Sequence, residues 1–361
     1  MIKAGIIGLG YWGPNLLRNF CKNPDIEVVT AADPRPEARS SLQSQYPSVR
    51  YVEDGMAVIN DPEVEAVAIA TPVHSHYPLA KAALEAGKHV WIEKPLTDNA
   101  EQAAELVALA EKNDLILLTD HTFIYTPAVE KLKDLVLRGE LGDIYYYDSV
   151  RVNLGLFQNE LSVLWDLGPH DVSIMQHLID KPMKWVQAVG AKHAGQSQET
   201  LAYITVQFED NIIGHVHVNW LAPAKIRQVI VGGSKRMCIY DDNEPSEKIK
   251  VYDKGVELKS IEGIHSALVQ YRLGDMHAPA LPNAEALARA TAHFAHCIKS
   301  HTQPITDGRA GLAVVQVLEA AQQSMAEQGR RVYFVDPRRE DPAKHYQDKL
   351  VQLISSPTMV R

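Results

Sequence analysis

An α/β chain in two parts is what this sequence predicts: a parallel sheet covered by helices, then a second unit built on antiparallel strands. Three observations carry the expectation. The 361 residues are 46% hydrophobic, enough to fill more than one core. Up to Asp120, short apolar runs alternate with helical patterns, as in a parallel sheet. Beyond Asp120 strand-length runs dominate, and short polar turns such as Glu209-Asp210-Asn211 and Gly232-Gly233-Ser234 join neighbours.

Composition narrows the function. The net charge is -9 with no long basic run, which argues against a nucleic-acid surface. No stretch approaches the roughly 20 apolar residues that cross a bilayer. The opening apolar run is cut by a glycine-rich turn after Ile7, so neither a signal peptide nor a membrane anchor is expected. Cys21, Cys238 and Cys297 are scattered and suggest neither a disulfide framework nor a cysteine metal cluster. A soluble cytoplasmic protein is expected.

Lys3 to Ile7 reads as a buried strand, and Gly8-Leu9-Gly10-Tyr11-Trp12-Gly13 follows directly, opening a helix that runs to about Cys21. In such a loop Gly8 permits the tight turn, Gly10 lets backbone approach a pyrophosphate, and Gly13 allows close helix–strand packing. Tyr11 and Trp12 belong to the same cofactor loop. The helix N-terminus offers unpaired N–H groups to phosphates, and Pro14 is tolerated because its missing N–H falls in the first turn. A second strand, Glu27 to Ala32, ends at Asp33, where a carboxylate would bond an adenosine ribose. That charge repels a 2′-phosphate, so NAD is expected in preference to NADP, and nearby Arg35 tempers the preference.

Val64 to Ala70 is the next strand, with Thr71 and Pro72 at its carboxyl end, where nicotinamide and its ribose should pass. Pro78 opens a helix from Leu79 to Ala86, stopped by Gly87. His74 and His76 stand in the loop between, as packing residues or as cofactor contacts. Val90-Trp91-Ile92 is a strand that ends in Glu93-Lys94-Pro95. A lysine there stands at the ligand-binding rim of the sheet, and Pro95 turns the chain; a charged pair merely closing a strand would read the same. Asn99 to Lys112 is helical with a capping box to Gln102, and Leu115 to Thr119 completes the alternation.

The second unit opens with a helix from Thr126-Pro127 to about Arg138, ended by Gly139. Strands are expected over Ile144 to Asn153, Trp185 to His193, Thr200 to Phe208, Ile212 to Trp220, Ile226 to Gly232 and Lys235 to Tyr240. A helix over Leu161 to Ile179 separates the first two. His215, His217 and Asn219 share a strand face that reads as polar, or as covered by a second subunit, rather than as a metal site. Asp242 to Lys259 reads as a charged surface excursion. Ala284 to Lys299 and Ala310 to Gln328 are helical, the second entered through Asp307-Gly308-Arg309 and able to return to the first unit; Val332-Tyr333-Phe334 is a short strand. The division expected is 1–122, 123–335 and a polar tail, 336–361, that can cross to a neighbouring subunit.

Leu164 to Asp171 is the second chemical stretch. Asp166 and His170 are four apart and share a helical face, although Pro169 suits only a first turn. An imidazole is the natural general base for a hydroxyl proton, with Asp166 orienting it or bonding substrate. A capped helix whose His170 satisfies a carbonyl fits the pattern equally well. Lys94 can polarise a substrate oxygen. Arg151 and Asn153 face the same way on a strand and suit a carboxylate or hydroxyls, or a structural salt bridge. His121 and Tyr125 are candidates to line the cleft, and His277 sits in a Gly274-to-Pro279 loop that could close over substrate.

The glycine loop, Asp33, Ala70-Thr71-Pro72, Glu93-Lys94-Pro95 and Asp166 to His170 together resemble the glucose–fructose oxidoreductase/inositol dehydrogenase/MocA family over residues 1 to 335. The resemblance implies a Rossmann domain followed by an α/β domain with a large, mostly antiparallel open sheet that builds homodimers or homotetramers. It also implies that Lys94 is the catalytic lysine and that Asp166 and His170 complete the substrate-facing set, with His170 the preferred acid/base. Gly10 to Asn15, Asp120 to Phe123 and Arg151 to Gly155 resemble bacterial nucleotide-sugar dehydrogenases of surface-polysaccharide biosynthesis. By that likeness the substrate is a UDP-N-acetylglucosamine or UDP-N-acetylglucosaminuronate type sugar oxidised at C3, whose ketone a downstream aminotransferase would take. Some such relatives keep the nucleotide bound and regenerate NAD with 2-oxoglutarate. An inositol or free-sugar dehydrogenase and a non-catalytic dinucleotide-binding regulator are the other readings.

Overall fold

The structure is a computed structural model that describes residues 1–155, 161–259 and 268–334, by backbone alone at 257–259 and 268–270. The chain begins with β1 (Ile2–Ile7), α1 (Gly13–Lys22), β2 (Ile26–Ala32), α2 (Pro36–Gln43), β3 (Arg50–Val52), α3 (Gly55–Ile59) and β4 (Ala66–Ile69). It continues through α4 (His76–Glu85), β5 (His89–Glu93), α5 (Ala100–Lys112), β6 (Leu117–Asp120) and α6 (Pro127–Leu137). The six strands lie in the order β3-β2-β1-β4-β5-β6, all parallel. Connections leave β1 in opposite directions along the sheet, so the carboxyl ends of β1 and β4 frame the crevice where such sheets take ligands. Side chains buried on both faces, among them Ile6, Val67, Ile69 and Val90 to Ile92, explain the unbroken apolar runs.

The rest comprises β7 (Ile144–Leu154), α7 (Val163–Leu178), β8 (Met183–Ala191), β9 (Leu201–Phe208), β10 (Ile213–Asn219), β11 (Leu221–Gly233) and β12 (Met237–Asp241). Then come β13 (Ile249–Lys259), β14 (Leu268–His277), α8 (Ala286–Ser300), α9 (Gly308–Ala326) and β15 (Val332–Tyr333). These strands make a nine-stranded sheet, β14-β13-β12-β11-β7-β10-β9-β8-β15, antiparallel except where β7 meets β10. Ala202, Ile204, Val206, Val216 and Val218 are buried on one face, and α7 packs on β9 and β10. The opposite face leaves Val189, Tyr203 and Ile213 exposed, with Tyr203 stacked 4.4 Å from His217 and 6.1 Å from His215.

Two expectations are corrected. Asp242 to Lys259 is no excursion: Ile249 and Val251 are buried in β13, and charged residues at the outward positions disguise a period-two strand. The helix after β4 starts at His76, not Leu79, behind a 3-10 turn over Val73–Ser75 that leaves Pro78 in its first turn. The short α2, β3 and α3 carry too little apolar periodicity to be read from sequence. The tail from Asp336 lies outside the described residues.

Helix α9 touches both sheets, packing on α5 and β6 and also on α7 and β8. Asp307 caps it by accepting from the Ala310 N–H at 2.8 Å. The Thr119 N–H donates to the Thr306 carbonyl at 2.8 Å, pinning the entry to α9 against β6. A Cβ at Gly311 would strike the Thr119 hydroxyl, so glycine sets this close approach.

Candidate active site

The glycine loop closes tightly on β4. Gly8 has φ +96, and a Cβ there would lie 2.6 Å from the Ala70 carbonyl oxygen. A Cβ at Gly13 would strike the Gly8 carbonyl. Helix α1 starts with no side-chain cap, leaving its first N–H groups for an anion such as a pyrophosphate. Gly10 and Trp12 are partly buried in this loop, and Tyr11 stands 94% exposed over it. Thr71 and Pro72 follow β4, with the Ser75 hydroxyl donating to Thr71 Oγ1 at 2.7 Å.

Asp33 is buried just past β2 and accepts from the Leu9 N–H at 2.8 Å. Arg35 grips the same carboxylate through Nε and Nη2, both at 2.9 Å. Burial pushes the Asp33 pKa up, but the hydrogen bonds from Arg35 and Leu9 outweigh it and hold the group below its ordinary value. The cradle fits a dinucleotide, with Asp33 and Arg35 together where the adenosine ribose belongs.

Lys94 follows β5 directly, and its peptide bond to Pro95 is cis. Its Nζ donates to the Asp166 carbonyl at 2.8 Å and reaches Asp166 Oδ1 at 3.5 Å, both side chains being 20% exposed. The Trp220 indole N–H donates to Asp166 Oδ2 at 3.3 Å. Both Asp166 and His170 lie on α7, where Pro169 sits inside the helix after all, in its second turn. Half-buried His170 packs edge-on to Phe123 at 5.0 Å, with its Nδ1 shut away and unbonded among the described residues. Burial, then the charges of Lys94 and Arg151, push the His170 pKa well down, so the ring is a neutral base. An ammonium for an oxygen and a neutral imidazole for a proton therefore flank one end of the parallel sheet.

Glu93 and Asp120 are register partners on β5 and β6. Burial, then the Asp120 charge, hold Glu93 well above the usual carboxylate range, and burial raises Asp120 too. At least one of the pair keeps its proton. The Thr122 hydroxyl donates to Asp120 at 2.8 Å. Next in the chain, His121 is fully buried, neither ring nitrogen has a hydrogen-bond partner among the described residues, and burial plus Lys94 push its pKa down to about 3.

Other candidates sit differently from expectation. The buried ring of His76 lies 2.9 Å from both the Pro95 and Thr71 carbonyls, so it ties two strand-end loops together instead of meeting a cofactor. Tyr125 is buried with its hydroxyl 3.0 Å from Thr306 Oγ1, inside the core and off any cleft wall. Arg151 is committed to Asp171, both buried, and lies 4.3 Å over the Phe123 ring; Asn153, two residues on, is half-buried. His277 ends β14, the exposed edge strand, rather than a closing loop, and pairs with Val251. Sequence reasoning missed Asp171, Trp220 and Phe123. Asp171 stands beside His170 in the motif already singled out, which was its one available signal.

Comparison with known proteins identifies the family. Residues 2–121 match the oxidoreductase family with an NAD-binding Rossmann fold, and residues 129–238 match the GFO/IDH/MocA C-terminal domain. The NADP(+)-dependent scyllo-inositol 2-dehydrogenase IolW of Bacillus subtilis (strain 168) is 27% identical over 284 residues, covering 74% of this chain and 71% of that protein. In fold, the chain is similar to UDP-N-acetylglucosamine 3-dehydrogenase GnnA from Acidithiobacillus ferrooxidans, with TM-score 0.77, 21% identity, and 90% and 98% of the two chains covered. A levoglucosan dehydrogenase in complex with NADH and levoglucosan gives TM-score 0.79 at 18% identity, covering 93% and 100%. With an NAD-binding Rossmann domain and the matching C-terminal domain in one chain, this protein belongs to the GFO/IDH/MocA family of oxidoreductases.

Proposed function

We propose that this protein is an NAD-dependent dehydrogenase that oxidises a secondary hydroxyl of a sugar, with C3 of a UDP-N-acetylglucosamine or UDP-N-acetylglucosaminuronate type sugar as the first substrate to try. The observation that carries the reading is the convergence of Lys94, Asp166 and His170 at the carboxyl end of β5. The bound nicotinamide would accept a hydride from the sugar carbon. Lys94 holds positive charge against the oxygen as it loses its proton, and neutral His170 takes that proton. Asp166 fixes the Lys94 ammonium and is itself steadied by Trp220.

Asp33 favours NAD over NADP, while the Arg35 clamp masks part of its charge. The open sheet face with Val189, Tyr203 and Ile213 suits a second copy of the chain, giving a homodimer or homotetramer. A second reading, oxidation of an inositol or free sugar, draws on one observation: Arg151, the cation expected to meet an acidic sugar, is consumed by Asp171. Purified protein with NAD or NADP and a panel of UDP-sugars, inositols and free aldoses, followed by absorbance of reduced cofactor with and without 2-oxoglutarate, tests both readings. Turnover of inositol or free sugar alone would reject the nucleotide-sugar assignment, and no turnover of any polyol would reject the dehydrogenase.

A further inference from the structure

Phe123, in the turn after β6, gathers three nitrogen-bearing side chains around one ring. The Arg151 guanidinium lies 4.3 Å over its centroid, the Arg227 guanidinium 5.9 Å away and the His170 imidazole 5.0 Å away. Arg227 and His170 therefore stand no farther apart than those last two distances laid end to end. Register explains the grouping. β11 and β7 run antiparallel with Arg227 opposite Arg151, so both side chains leave the same face of the sheet. Farther along β11 that face carries Val229 and Val231, both buried.

The two arginines differ in what holds them. Arg151 is buried and committed to buried Asp171. The Arg227 side chain keeps 33% of its surface open and reaches Asp242 through Nη1 alone, at 3.3 Å. Its Nε and Nη2 make no hydrogen bond among the described residues. Asp242 is itself shared: Lys248 Nζ lies 3.6 Å from its carboxylate, and the Tyr240 hydroxyl donates to it at 3.2 Å. Two cations on one carboxylate leave a positive charge uncancelled. Burial leads in pushing the His170 pKa down, and the charge of Arg227 adds to the effect.

We propose that Arg227 receives an anionic group of the substrate, a carboxylate or diphosphate carried across the sugar from the hydroxyl that is oxidised. The inference rests on the dehydrogenase reading above and narrows its substrate to an anionic sugar. With Nε and Nη2 free, the guanidinium fork presents parallel N–H groups to two oxygens of one acidic group. The Phe123 ring beside it steadies the cation without neutralising it. The separation from His170 suits a sugar whose reacting hydroxyl and acidic group lie on opposite sides of the ring. Arg151 cannot serve, because turning to a substrate would strand Asp171 in the core. The pair of Arg227 with Asp242 is partly exposed and singly bonded, so it yields to an incoming anion at little cost.

Steady-state rates of NADH formation test this with UDP-N-acetylglucosaminuronate, UDP-N-acetylglucosamine and inositol. Arg227→Met keeps an apolar stem beside Phe123 and loses the charge. In it, KM for an anionic substrate should rise about 10- to 100-fold while kcat and NAD affinity hold, and Arg227→Lys should recover part of the loss. A rise for the uronate alone identifies the carboxylate as the bound group; an equal rise for both nucleotide sugars identifies the diphosphate. Asp242→Asn, which releases Arg227 from its ion pair, should leave KM level or lower. A rise there matching that of Arg227→Met would place the effect in the ion pair and overturn the inference. Unchanged KM for both nucleotide sugars in Arg227→Met, or a wild-type enzyme that turns over only inositol, would overturn it too and leave the dehydrogenase standing. A wild-type enzyme that oxidises no sugar or polyol would overturn both.

Discussion

The Lys94 ammonium lies 2.8 Å from the backbone carbonyl of Asp166 and 3.5 Å from its carboxylate, joining the end of a parallel strand to a helix packed on the other sheet. The two residues are 72 apart in the chain, yet this one contact fixes where the Lys94 positive charge stands, which in the proposed reaction is against the substrate oxygen. Lys94→Ala should therefore lower kcat by about 10²- to 10⁴-fold while leaving NAD affinity, measured by fluorescence titration, nearly intact. An equal loss in NAD affinity would make the residue part of the cofactor cradle instead.

The pH dependence follows from His170. Burial first, and then Lys94 and Arg151, lower its pKa, so the ring stays neutral and able to accept a proton below the pH at which a free imidazole is half charged. The acid limb of kcat/KM should thus lie below pH ~6.5. Removing the Lys94 charge should move that limb upward in the residual activity of Lys94→Ala, because one cation opposing protonation is gone. A limb that does not move would separate His170 from Lys94.

Cofactor choice should turn on Arg35. Its guanidinium covers the carboxylate that would otherwise repel a 2′-phosphate. Arg35→Ala should weaken NADP binding by about tenfold, near 1.4 kcal/mol, with NAD affinity held, as read by calorimetric titration.

The Arg151–Asp171 pair should matter for stability more than for substrate. Both side chains are almost wholly buried, at 5% and 2% exposure, so Asp171→Ala leaves an uncompensated guanidinium in the core. A loss of about 3–5 kcal/mol in urea unfolding is expected. Substrate KM in surviving Asp171→Ala enzyme should change little.

The architecture was legible where the chain obeys one period for long enough. The glycine loop, Asp33 and the rim lysine follow one another in the order a dinucleotide cradle demands, and β4, Ala4 to Ile7 of β1 and Val90 to Ile92 of β5 are unbroken apolar runs. β13 escaped because Lys250 and Lys254 occupy its outward positions and the pairing shifts at Asp253, and α2, β3 and α3 because each is too short to show a period. At the site, sequence brought forward Lys94, Asp166 and His170 but not what surrounds them. The partner of Arg151 is 20 residues away and that of Tyr125 is 181 away, distances at which spacing carries no information. His76 looked like a loop histidine because nothing local reveals that two carbonyls flank its ring.

Because α9 is anchored to β6 at its start and lies against α7 and β8 farther along, one rigid rod spans the seam between the two sheets. Such a brace resists the hinge-like swing by which many two-lobed enzymes engulf their ligands. Capture and release would then depend on short connections at the mouth of the crevice, and small-angle scattering with and without NAD should give nearly superimposable curves.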